Sequence, residues 1–453
     1  MNRKQRRALQ KKKVSPGQLM VLGKAAHKQG RLDEAERCYR SVLEIHPGHP
    51  DALHFLGILL HRHGDSRAGL ELVNRSLAID PWNIHALNNL GNIHKELGES
   101  EEAARCYRKV LELRPNHVDA LNNLGVILKI HGDYDHAIEA FEKALTQTPE
   151  NADIYQNLSN CYRKMERFDE AIDGYWRAIR LRPYDEGEYS YLRHLLYAAG
   201  QREKAFKLIE EWLEREPDNL SALHLRATFS PDTVPMRAND GYVRKTFDDF
   251  ANSFDSVLKS LDYRAPELVS ALINSRFLAS SQHPSVLDAG CGTGLCGPLI
   301  RASVARLDGV DISPGMLEKA SQRSLYDGLF EAELTGFIAT LSNAYDVILC
   351  ADTLVYFGDL KPVFEAAFGA LRPRGTLIFT VEKSDRNQAF ELQPHGRYCH
   401  SEHYLRSTLE TSGFSIISCE SVVLRRELGE DVQGYLIEAL VSKKPPSHSD
   451  LPM

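Results

Sequence analysis

The stretch at 286–297, VLDAGCGTGLCG, decides the fold of the second half of this chain. It begins as an apolar run, reaches an acid at Asp288 and then passes through Gly290, Gly292 and Gly294. Such a run is typical of a buried strand, and the glycines that follow it leave the backbone bare. We therefore expect a loop against which a ligand sits almost in contact with the backbone.

The acid within this motif bears on the kind of ligand. Nicotinamide sites usually read GxGxxG without an acid, because the loop and the start of the helix meet an anionic pyrophosphate. Here the pattern is DxGxGxG, and the Asp288 carboxylate favours a cationic sulfonium ligand that also carries an ammonium group. Gly297 gives a GxxG spacing from Gly294, so a dehydrogenase stays open as an alternative.

Alternating strand and helix patterns follow from residue 285 onward. The strand candidates are 285–290, 306–310, 329–334, 345–350, 375–381, 414–422 and 433–441. The helix candidates are 294–303, 313–322, 335–342, 360–371 and 401–412. This alternation predicts a Rossmann-like α/β domain with a mostly parallel seven-stranded sheet, whose last strand is antiparallel because no helix precedes it. Ligands of such sheets bind at the carboxyl ends of the strands.

Two further acids follow predicted strands at that edge. Asp311 comes 23 residues after Asp288, where a carboxylate can accept hydrogen bonds from both hydroxyls of a ribose. The third strand ends in FEAEL, which offers Glu333, or as an alternative Glu331, to the exocyclic amine of adenine. We therefore expect the ligand to carry an adenosine group.

This ordered series, with CADTLVYFGDL after the fourth strand and LRPRGTLIF at the fifth, resembles class I S-adenosylmethionine-dependent methyltransferases over about 240–443. The resemblance implies S-adenosyl-L-methionine as cofactor, with the first acid on its methionine part, the second on its ribose and the third on its adenine. The implied cofactor contacts are Asp288, Gly290, Gly292, Gly294, Asp311, Glu333 and Ala351. The alternative is a fold that binds the cofactor without reacting.

Three other segments resemble a bacterial group of predicted methyltransferases that carry tetratricopeptide repeats. They are FDDFANSFDSVLKSLDYRAPELV, ADTLVYFGDL and GRYCHSEHYLRSTLETSGF. Within the first of them, Phe247, Phe250, Phe254 and Leu258 fall on one helical face, which predicts an amphipathic helix that packs on the domain as a lid. Phe250 stands where the group leads us to expect a tyrosine. The resemblance implies the reaction and leaves the methyl acceptor open.

Few residues qualify as a catalytic base. Methyl transfer is an in-line displacement, and an acceptor that starts protonated needs a base within hydrogen-bond reach. Asp352 and Tyr356 follow the fourth strand, and His400 lies in GRYCHSEHY, where a helix cap or a solvated place on the surface is the alternative. A carboxylate acceptor needs no base, and Arg397 would then anchor it. No pair of histidines has a convincing metal-ligand spacing, so we expect no metal.

A repeat of 34 residues governs the first half of the chain. Prolines recur at this step at Pro47, Pro81, Pro115, Pro149, Pro183 and Pro217. A leucine followed by a small residue, and a small residue followed four positions later by an aromatic, recur with the same period. This pattern resembles the tetratricopeptide repeat over roughly 16–219, with about six units and a capping helix near 220–229. One such helix pair cannot bury its apolar face alone, so the units must stack into an all-α solenoid.

Asparagines recur at one register of the first helices, namely Asn89, Asn123 and Asn157. Stacked repeats would align these side chains along the concave face, where an amide can donate to and accept from a peptide backbone. The pattern is similar to the asparagine ladder in the repeat domain of O-GlcNAc transferase. The alternative is that these residues only satisfy backbone groups between repeats.

Composition places limits on the partners. The formal net charge of −7 argues against a chain that coats nucleic acid, and the basic head at 1–13 is the only feature in favour of such binding. No apolar stretch approaches the roughly 20 residues that span a bilayer, so we expect no membrane and a cytoplasmic location. The predicted division is a basic tail at 1–15, repeats at 16–229, a linker at 230–241, the methyltransferase domain at 242–443 and a tail at 444–453.

Three functions fit this sequence. The first is a methyltransferase whose repeats recruit a protein or peptide. The second is a small-molecule or carrier-linked O-methyltransferase whose repeats only dock a partner, which an apolar pocket around Leu354, Val355, Tyr356 and Phe357 would favour. The third is a scaffold that binds S-adenosylmethionine without turnover.

Overall fold

A computed structural model describes residues 14–184, 186–229, 234–277, 283–427 and 430–442. They belong to two compact units, of which the first ends at Gln201 and the second begins at Arg202. The basic head at 1–13, part of the linker and the C-terminal tail lie outside the described residues. Among the helices that are described, none has the length and apolar character needed to cross a membrane.

The first unit consists of antiparallel helix pairs. Its helices are α1 (Pro16–Lys28), α2 (Leu32–Ile45), α3 (Pro50–Arg62), α4 (Ser66–Ile79), α5 (Ile84–Glu96), α6 (Ser100–Leu113), α7 (Val118–Ile130), α8 (Tyr134–Gln147), α9 (Ala152–Lys164), α10 (Phe168–Leu181) and α11 (Glu186–Ala198). Each odd-numbered helix up to α9 packs on the even-numbered helix that follows it, and helices of neighbouring pairs also pack together. The predicted all-α solenoid is confirmed.

Small residues allow the two helices of a pair to approach. A Cβ added at Gly91 would lie 2.6 Å from the ring of Tyr107, which fills the space that the glycine leaves. Where Val73 replaces the aromatic residue, a Cβ at Gly57 would instead lie 2.8 Å from the carbonyl oxygen of Gly69. The helices of that pair therefore approach through two glycines and a smaller side chain.

The turn after the first helix of each repeat contains a left-handed backbone residue. Glycine takes this place at Gly30, Gly64, Gly98, Gly132 and Gly200, with φ between 68° and 91°. Glu166 stands at the same register with φ 60°, a conformation that disfavours a residue with a Cβ.

The second unit holds the α/β domain and the helices that precede it. Its helices are α12 (Arg202–Arg215), α13 (Leu220–Ala227), α14 (Asp240–Phe250), α15 (Phe254–Ser260), α16 (Ala265–Phe277), α17 (Gly297–Ile300), α18 (Pro314–Gln322), α19 (Leu334–Ala339), α20 (Lys361–Ala370) and α21 (Glu402–Thr411). Its strands are β1 (Ser285–Ala289), β2 (Arg306–Asp311), β3 (Gly328–Glu331), β4 (Tyr345–Cys350), β5 (Leu371–Lys383), β6 (Phe390–Leu392), β7 (Tyr398–His400), β8 (Phe414–Glu427) and β9 (Glu430–Val441).

The sheet has the predicted architecture with one addition. Strands β3, β2, β1, β4 and β5 are parallel neighbours in this order, and β9 runs antiparallel between β5 and β8. Hence the mostly parallel sheet with an antiparallel last strand is confirmed. The predicted count of seven strands is wrong, because the hairpin β6–β7 extends the sheet to nine. Strands of three residues carry too few positions for a periodic signal.

Apolar residues cover both faces of the central strands. Val286 and Val347 pack with α16 on one side, whereas Leu287 and Ile348 belong to the larger cluster on the other side. Each of these four side chains is completely buried. The burial explains the apolar residues at the centres of β1 and β4, which Asp288 and Asp346 interrupt, and the pairing of the two strands holds their carboxyl ends side by side.

Candidate cofactor and acceptor site

The glycine-rich loop after β1 has three left-handed glycines with two different roles. Gly290, Gly292 and Gly294 have φ of 79°, 54° and 82°. A Cβ at Gly290 would lie 2.3 Å from the Thr353 side chain and one at Gly294 would lie 2.9 Å from Tyr326, so both glycines are required by packing. At Gly292 the nearest atom would be a carbon of the Phe254 ring at 3.8 Å, an ordinary contact distance, so packing does not require a glycine there.

Asp288 presents one unsatisfied oxygen beside this loop. Its side chain is 1% exposed, and the Tyr326 hydroxyl donates to Oδ2 at 2.7 Å. Its Oδ1 is buried and has no hydrogen-bond partner among the described residues. Burial, with a smaller contribution from Asp311, raises the pKa of Asp288 to about 7. A buried carboxylate of this kind gains most from a ligand that brings a positive charge.

Asp311 is oriented by backbone groups of two loops. The Gly292 N–H donates to Oδ2 at 2.8 Å, and the Ser313 N–H donates to Oδ1 at 2.9 Å. Burial raises the pKa of Asp311, although these N–H groups oppose the rise. The two bonds fix the carboxylate at the end of β2 and tie it to the glycine-rich loop.

The acids near the end of β3 are already engaged. Glu333 caps α19, accepting from the N–H groups of Thr335 at 2.9 Å and Gly336 at 2.6 Å, and Arg237 donates to it at 2.9 Å. Glu331 is exposed and accepts from Arg244 at 2.8 Å. The strand ends two residues before Glu333, so this residue belongs to the following loop.

The loop after β4 carries a strained aspartate. Asp352 has φ 57°, and its N–H donates to the Thr380 hydroxyl at 2.9 Å. Arg425 donates to its Oδ2 at 2.7 Å, whereas its Oδ1 is buried without a partner among the described residues. The half-buried Ala351 immediately precedes it. A non-glycine residue in this conformation costs energy, and such strain is typical of functional loops.

A buried ion network surrounds Asp352, and sequence reasoning missed most of it. Arg425 donates to Asp352, to Glu382 and to Glu427, and Arg397 donates to Glu382 at 2.6 Å and to Glu427 at 2.7 Å. Burial opposes the charge of Glu427, but the two guanidinium groups lower its pKa to about 2. These residues come from β5, β8 and the segment before β7, so no local motif joins them.

The other two candidates for a base have different surroundings. Tyr356 lies in a short 3₁₀ turn, Leu354–Tyr356, with its ring 5.4 Å from that of Phe247, and burial raises its pKa. His400 is completely buried in β7, and its Nε2–H donates to the Gly358 carbonyl at 3.1 Å. Burial lowers the pKa of His400 to about 4. His400 is therefore neither a helix cap nor a surface residue, because its imidazole is enclosed in the strand and Ser401 caps the following helix.

Of the four residues expected around an apolar acceptor pocket, two are buried in the core and a third, Phe357, lines a cleft. Leu354 and Val355 are each 1% exposed and pack into the core. A shallow cleft of about 330 Å³ lies further along the edge of the sheet. Its walls are Met236, Arg237, Glu333, Thr335, Gly336, Ala339, Phe357, Asp359 and Pro362.

The single amphipathic helix predicted as a lid is instead two helices, α14 and α15, which contact the loops that follow β1 and β2. Asp248 in α14 accepts from the Ser313 hydroxyl at 2.6 Å, next to Asp311. Asp255 in α15 accepts from the Thr293 hydroxyl at 2.6 Å, inside the glycine-rich loop. The lid is therefore attached to each loop by a carboxylate.

In the first unit, the asparagine row (Asn89, Asn123 and Asn157) contacts side chains of preceding repeats. Asn89 lies 2.9 Å from His54 Nε2. Lys95 donates to Asn123 at 2.8 Å, and Lys129 donates to Asn157 at 2.6 Å, so the same contact recurs one repeat later. These bonds join side chains, whereas the alternative interpretation requires contacts with backbone groups between repeats.

Comparisons with known proteins agree with the division into two parts. Residues 261–419 match the family model described as a methyltransferase domain. Residues 16–59, 82–150 and 128–175 match tetratricopeptide repeat models. The match to a methyltransferase domain, with an acid inside the glycine motif, decides against the dehydrogenase alternative.

Two curated relatives carry methyltransferase or biosynthetic names. The malonyl-[acyl-carrier protein] O-methyltransferase of Priestia megaterium is 28% identical over 41% of this chain and 66% of that protein. The biotin biosynthesis bifunctional protein BioHC of Saccharophagus degradans is 29% identical over 33% of this chain and 26% of that protein. The chain thus spans less than two thirds of either relative. A solved structure of pilF from Pseudomonas aeruginosa covers 47% of this chain and 96% of its own, at 21% identity and a TM-score of 0.41.

Proposed function

We propose that this chain, in which tetratricopeptide repeats precede a class I methyltransferase domain, transfers a methyl group from S-adenosylmethionine to a protein or peptide recruited by the repeats. One observation carries the cofactor part of the proposal. The buried Asp288 has an oxygen without a partner among the described residues, beside a loop with three left-handed glycines.

The residues present fit S-adenosylmethionine. The unpaired Asp288 oxygen suits the ammonium group of the methionine part, because burial leaves this carboxylate in need of a positive partner. Gly290 and Gly294 let Thr353 and Tyr326 pack against the loop, and Gly292 adds no side chain between the loop backbone and the ligand. Asp311 accepts the ribose hydroxyls, since two backbone N–H groups already fix its orientation.

The adenine end is assigned to Glu333 and Ala351. Each oxygen of Glu333 accepts from a backbone N–H of α19, but a carboxylate has about four lone-pair sites and retains capacity for the adenine amine. Ala351 offers backbone at the end of β4. When bound, S-adenosylmethionine supplies a methyl group on a positively charged sulfur that a nucleophile takes in line.

The repeats support recruitment of a polypeptide. Asn89, Asn123 and Asn157 recur at one register of the first helices α5, α7 and α9. Lysines of preceding repeats donate to the last two, but each amide oxygen has a second lone pair for a peptide N–H. A row of amides at constant spacing suits an extended chain read through its backbone.

A second candidate is a small-molecule or carrier-linked O-methyltransferase whose repeats only dock a partner complex. The names of the relatives favour it, since the Priestia megaterium protein is a malonyl-[acyl-carrier protein] O-methyltransferase. Arg397, which we expected to anchor a carboxylate acceptor, is paired with Glu382 and Glu427. This pairing weighs against the second candidate.

The test uses the full chain in two steps. Isothermal titration with S-adenosylmethionine measures cofactor binding, and tritiated methyl transfer into a cell lysate identifies the class of acceptor. Label that stays in a protein band after hydroxylamine treatment supports the proposal. Label in small molecules, or label that hydroxylamine releases from a carrier protein by cleaving its thioester, supports the second candidate. A chain that binds no S-adenosylmethionine contradicts both.

The contribution of the repeats is tested with a triple variant, N89A/N123A/N157A. It should lose most labelling of protein while its affinity for S-adenosylmethionine stays unchanged. The matched control is N74A/N116A, which removes two exposed asparagines at other registers of the repeats. Equal labelling by the two variants would contradict a role of the asparagine row.

A further inference from the structure

Asp352, in the loop after β4, has one side-chain oxygen that no described residue contacts through a hydrogen bond. Arg425 holds Oδ2, and the N–H of Asp352 is held by the Thr380 hydroxyl. Oδ1 is buried and lacks a partner in the part of the chain that the structure describes. The left-handed φ of 57° shows that the backbone bears strain to present this side chain.

Both arginines of the ion network around Asp352 are already paired with carboxylates. The guanidinium of Arg425 forms ion pairs with Asp352, Glu382 and Glu427. Arg397 pairs with Glu382 through Nε and with Glu427 through Nη2. Among these five residues the carboxylates outnumber the guanidinium groups by three to two. A carboxylate acceptor would meet surplus negative charge here, whereas an N–H or O–H group would satisfy the unused oxygen.

From this geometry, and resting on the proposed function, we infer that the methyl acceptor is a proton-bearing amine or hydroxyl, that Asp352 accepts its proton, and that Arg425 positions Asp352. The X–H proton of the acceptor passes to Asp352 Oδ1. The lone pair left on X forms the new bond to the methyl carbon. The electron pair of the methyl–sulfur bond stays on the sulfur, so charge and atoms balance.

The titration of Asp352 agrees with this role. Burial raises its pKa, and Arg425 opposes the rise. The other charged groups that act on it are Glu382, Arg397 and Glu427. Burial also raises the pKa of the neighbouring Tyr263 and Tyr356, which keeps both phenols neutral. A carboxylate with a raised pKa is a stronger base than an exposed one.

The first test reads the chemistry of the product. The full chain is incubated with tritiated S-adenosylmethionine and a cell lysate, and the labelled material is then treated with mild base. Methyl groups on nitrogen or on an ether oxygen resist this treatment, so we expect the label to remain bound. A methyl ester releases its label as volatile methanol, and that result would overturn the inference.

The second test compares two ion pairs at opposite ends of β4. Asp352→Asn should lower the rate of transfer by about 100-fold and remove the acid limb of the pH–rate profile, with unchanged affinity for S-adenosylmethionine. Arg425→Lys should shift this limb to higher pH, because Arg425 is the group that lowers the pKa of Asp352. The control Asp346→Asn breaks the pair with Arg372, 2.7 Å long, at the start of the strand, and should leave the profile unchanged.

The outcomes separate the inference from the proposed function. The inference is overturned if Asp352→Asn transfers methyl groups as fast as the wild type, or if mild base releases the label from the wild-type product. Neither result contradicts the methyltransferase activity itself. A wild-type chain that binds no S-adenosylmethionine in the calorimeter overturns both.

Discussion

The two units of this chain bury their apolar surface in different ways. In the first unit each helix packs on helices adjacent in sequence, and Gly91 meets Tyr107 only 16 positions away. In the second unit β1 pairs with β2 and β4, and β5 pairs with β9 about 60 residues later. The repeats are therefore specified locally, whereas the α/β domain requires contacts between distant segments.

This difference explains which of the two units can bring together side chains that are distant in sequence. The parallel sheet brings the carboxyl ends of β1, β2 and β4 to one edge, and with them Asp288, Asp311 and Asp352. Each repeat instead presents the same side chain at the same step, which suits extended binding. Four predictions, from the largest expected effect to the smallest, test how far this distinction holds.

Asp288→Asn should weaken binding of S-adenosylmethionine by about 10- to 100-fold, because a hydrogen bond to a charged group contributes roughly 1.5–3 kcal/mol. The measurement is isothermal titration of the full chain. The control is Asp308→Asn in β2, an equally buried aspartate that also accepts from a tyrosine, Tyr345, at 2.6 Å. If both variants lost the same affinity, the loss would come from a disturbed sheet, and a direct contact between the ligand and Asp288 would be contradicted.

Gly57→Ala should destabilise the protein by about 1–3 kcal/mol, the usual cost of overpacking. Its Cβ would lie 2.8 Å from the backbone oxygen of Gly69, which cannot rotate away. Urea denaturation followed by circular dichroism measures the change. In the control Gly17→Ala, the nearest atom to the new Cβ is 4.0 Å away, and no loss is expected. If Gly57→Ala changed the free energy of unfolding no more than Gly17→Ala, the two helices of this pair would be able to move apart at little cost.

Affinity for S-adenosylmethionine should fall as the pH drops below about 7, by at most about tenfold for each pH unit. The pKa of Asp288 is about 7 in the folded protein, and an ammonium ligand prefers the ionised form. In the ligand-free protein the free energy of unfolding depends on pH in the opposite direction to the affinity. Since the unfolded pKa is about 4, stability falls as the pH rises from about 4 to about 7.

Calorimetric titrations at several pH values, repeated with Asp288→Asn, measure this dependence. The variant should give a flatter curve. A wild-type affinity that stays constant between pH 5 and 8 would contradict the role of this carboxylate.

Glu166→Gly should stabilise the protein by about 0.5–1 kcal/mol, since glycine adopts a left-handed φ without a Cβ penalty. Glu166 has φ 60° at the place that Gly132 takes one repeat earlier. The reverse change, Gly132→Ala, should destabilise by a similar amount. Urea midpoints measure both, and a destabilised Glu166→Gly would point to a contact of this side chain that the repeat pattern does not explain.

Prediction from sequence succeeded where the signal was periodic or local. The strand 285–290 appears as Ser285–Ala289, and the left-handed glycines follow it as the motif requires. It failed for β6 and β7, which are too short to show alternation, and Glu333 lies beyond its strand. Tyr326, whose hydroxyl donates to Asp288, was also not predicted as a site residue, because a single tyrosine in a loop forms no sequence pattern.

The sequence by itself determined the two folds, because the 34-residue step and the glycine motif describe helices, turns and a strand–loop–helix unit formed by neighbours in the chain. Only the tertiary structure decided the surroundings of Asp352. Its partner Arg425 is 73 positions away, and Glu382 and Arg397 join from other segments. Charge pairing of this kind depends on distance in space, and sequence spacing does not encode that distance.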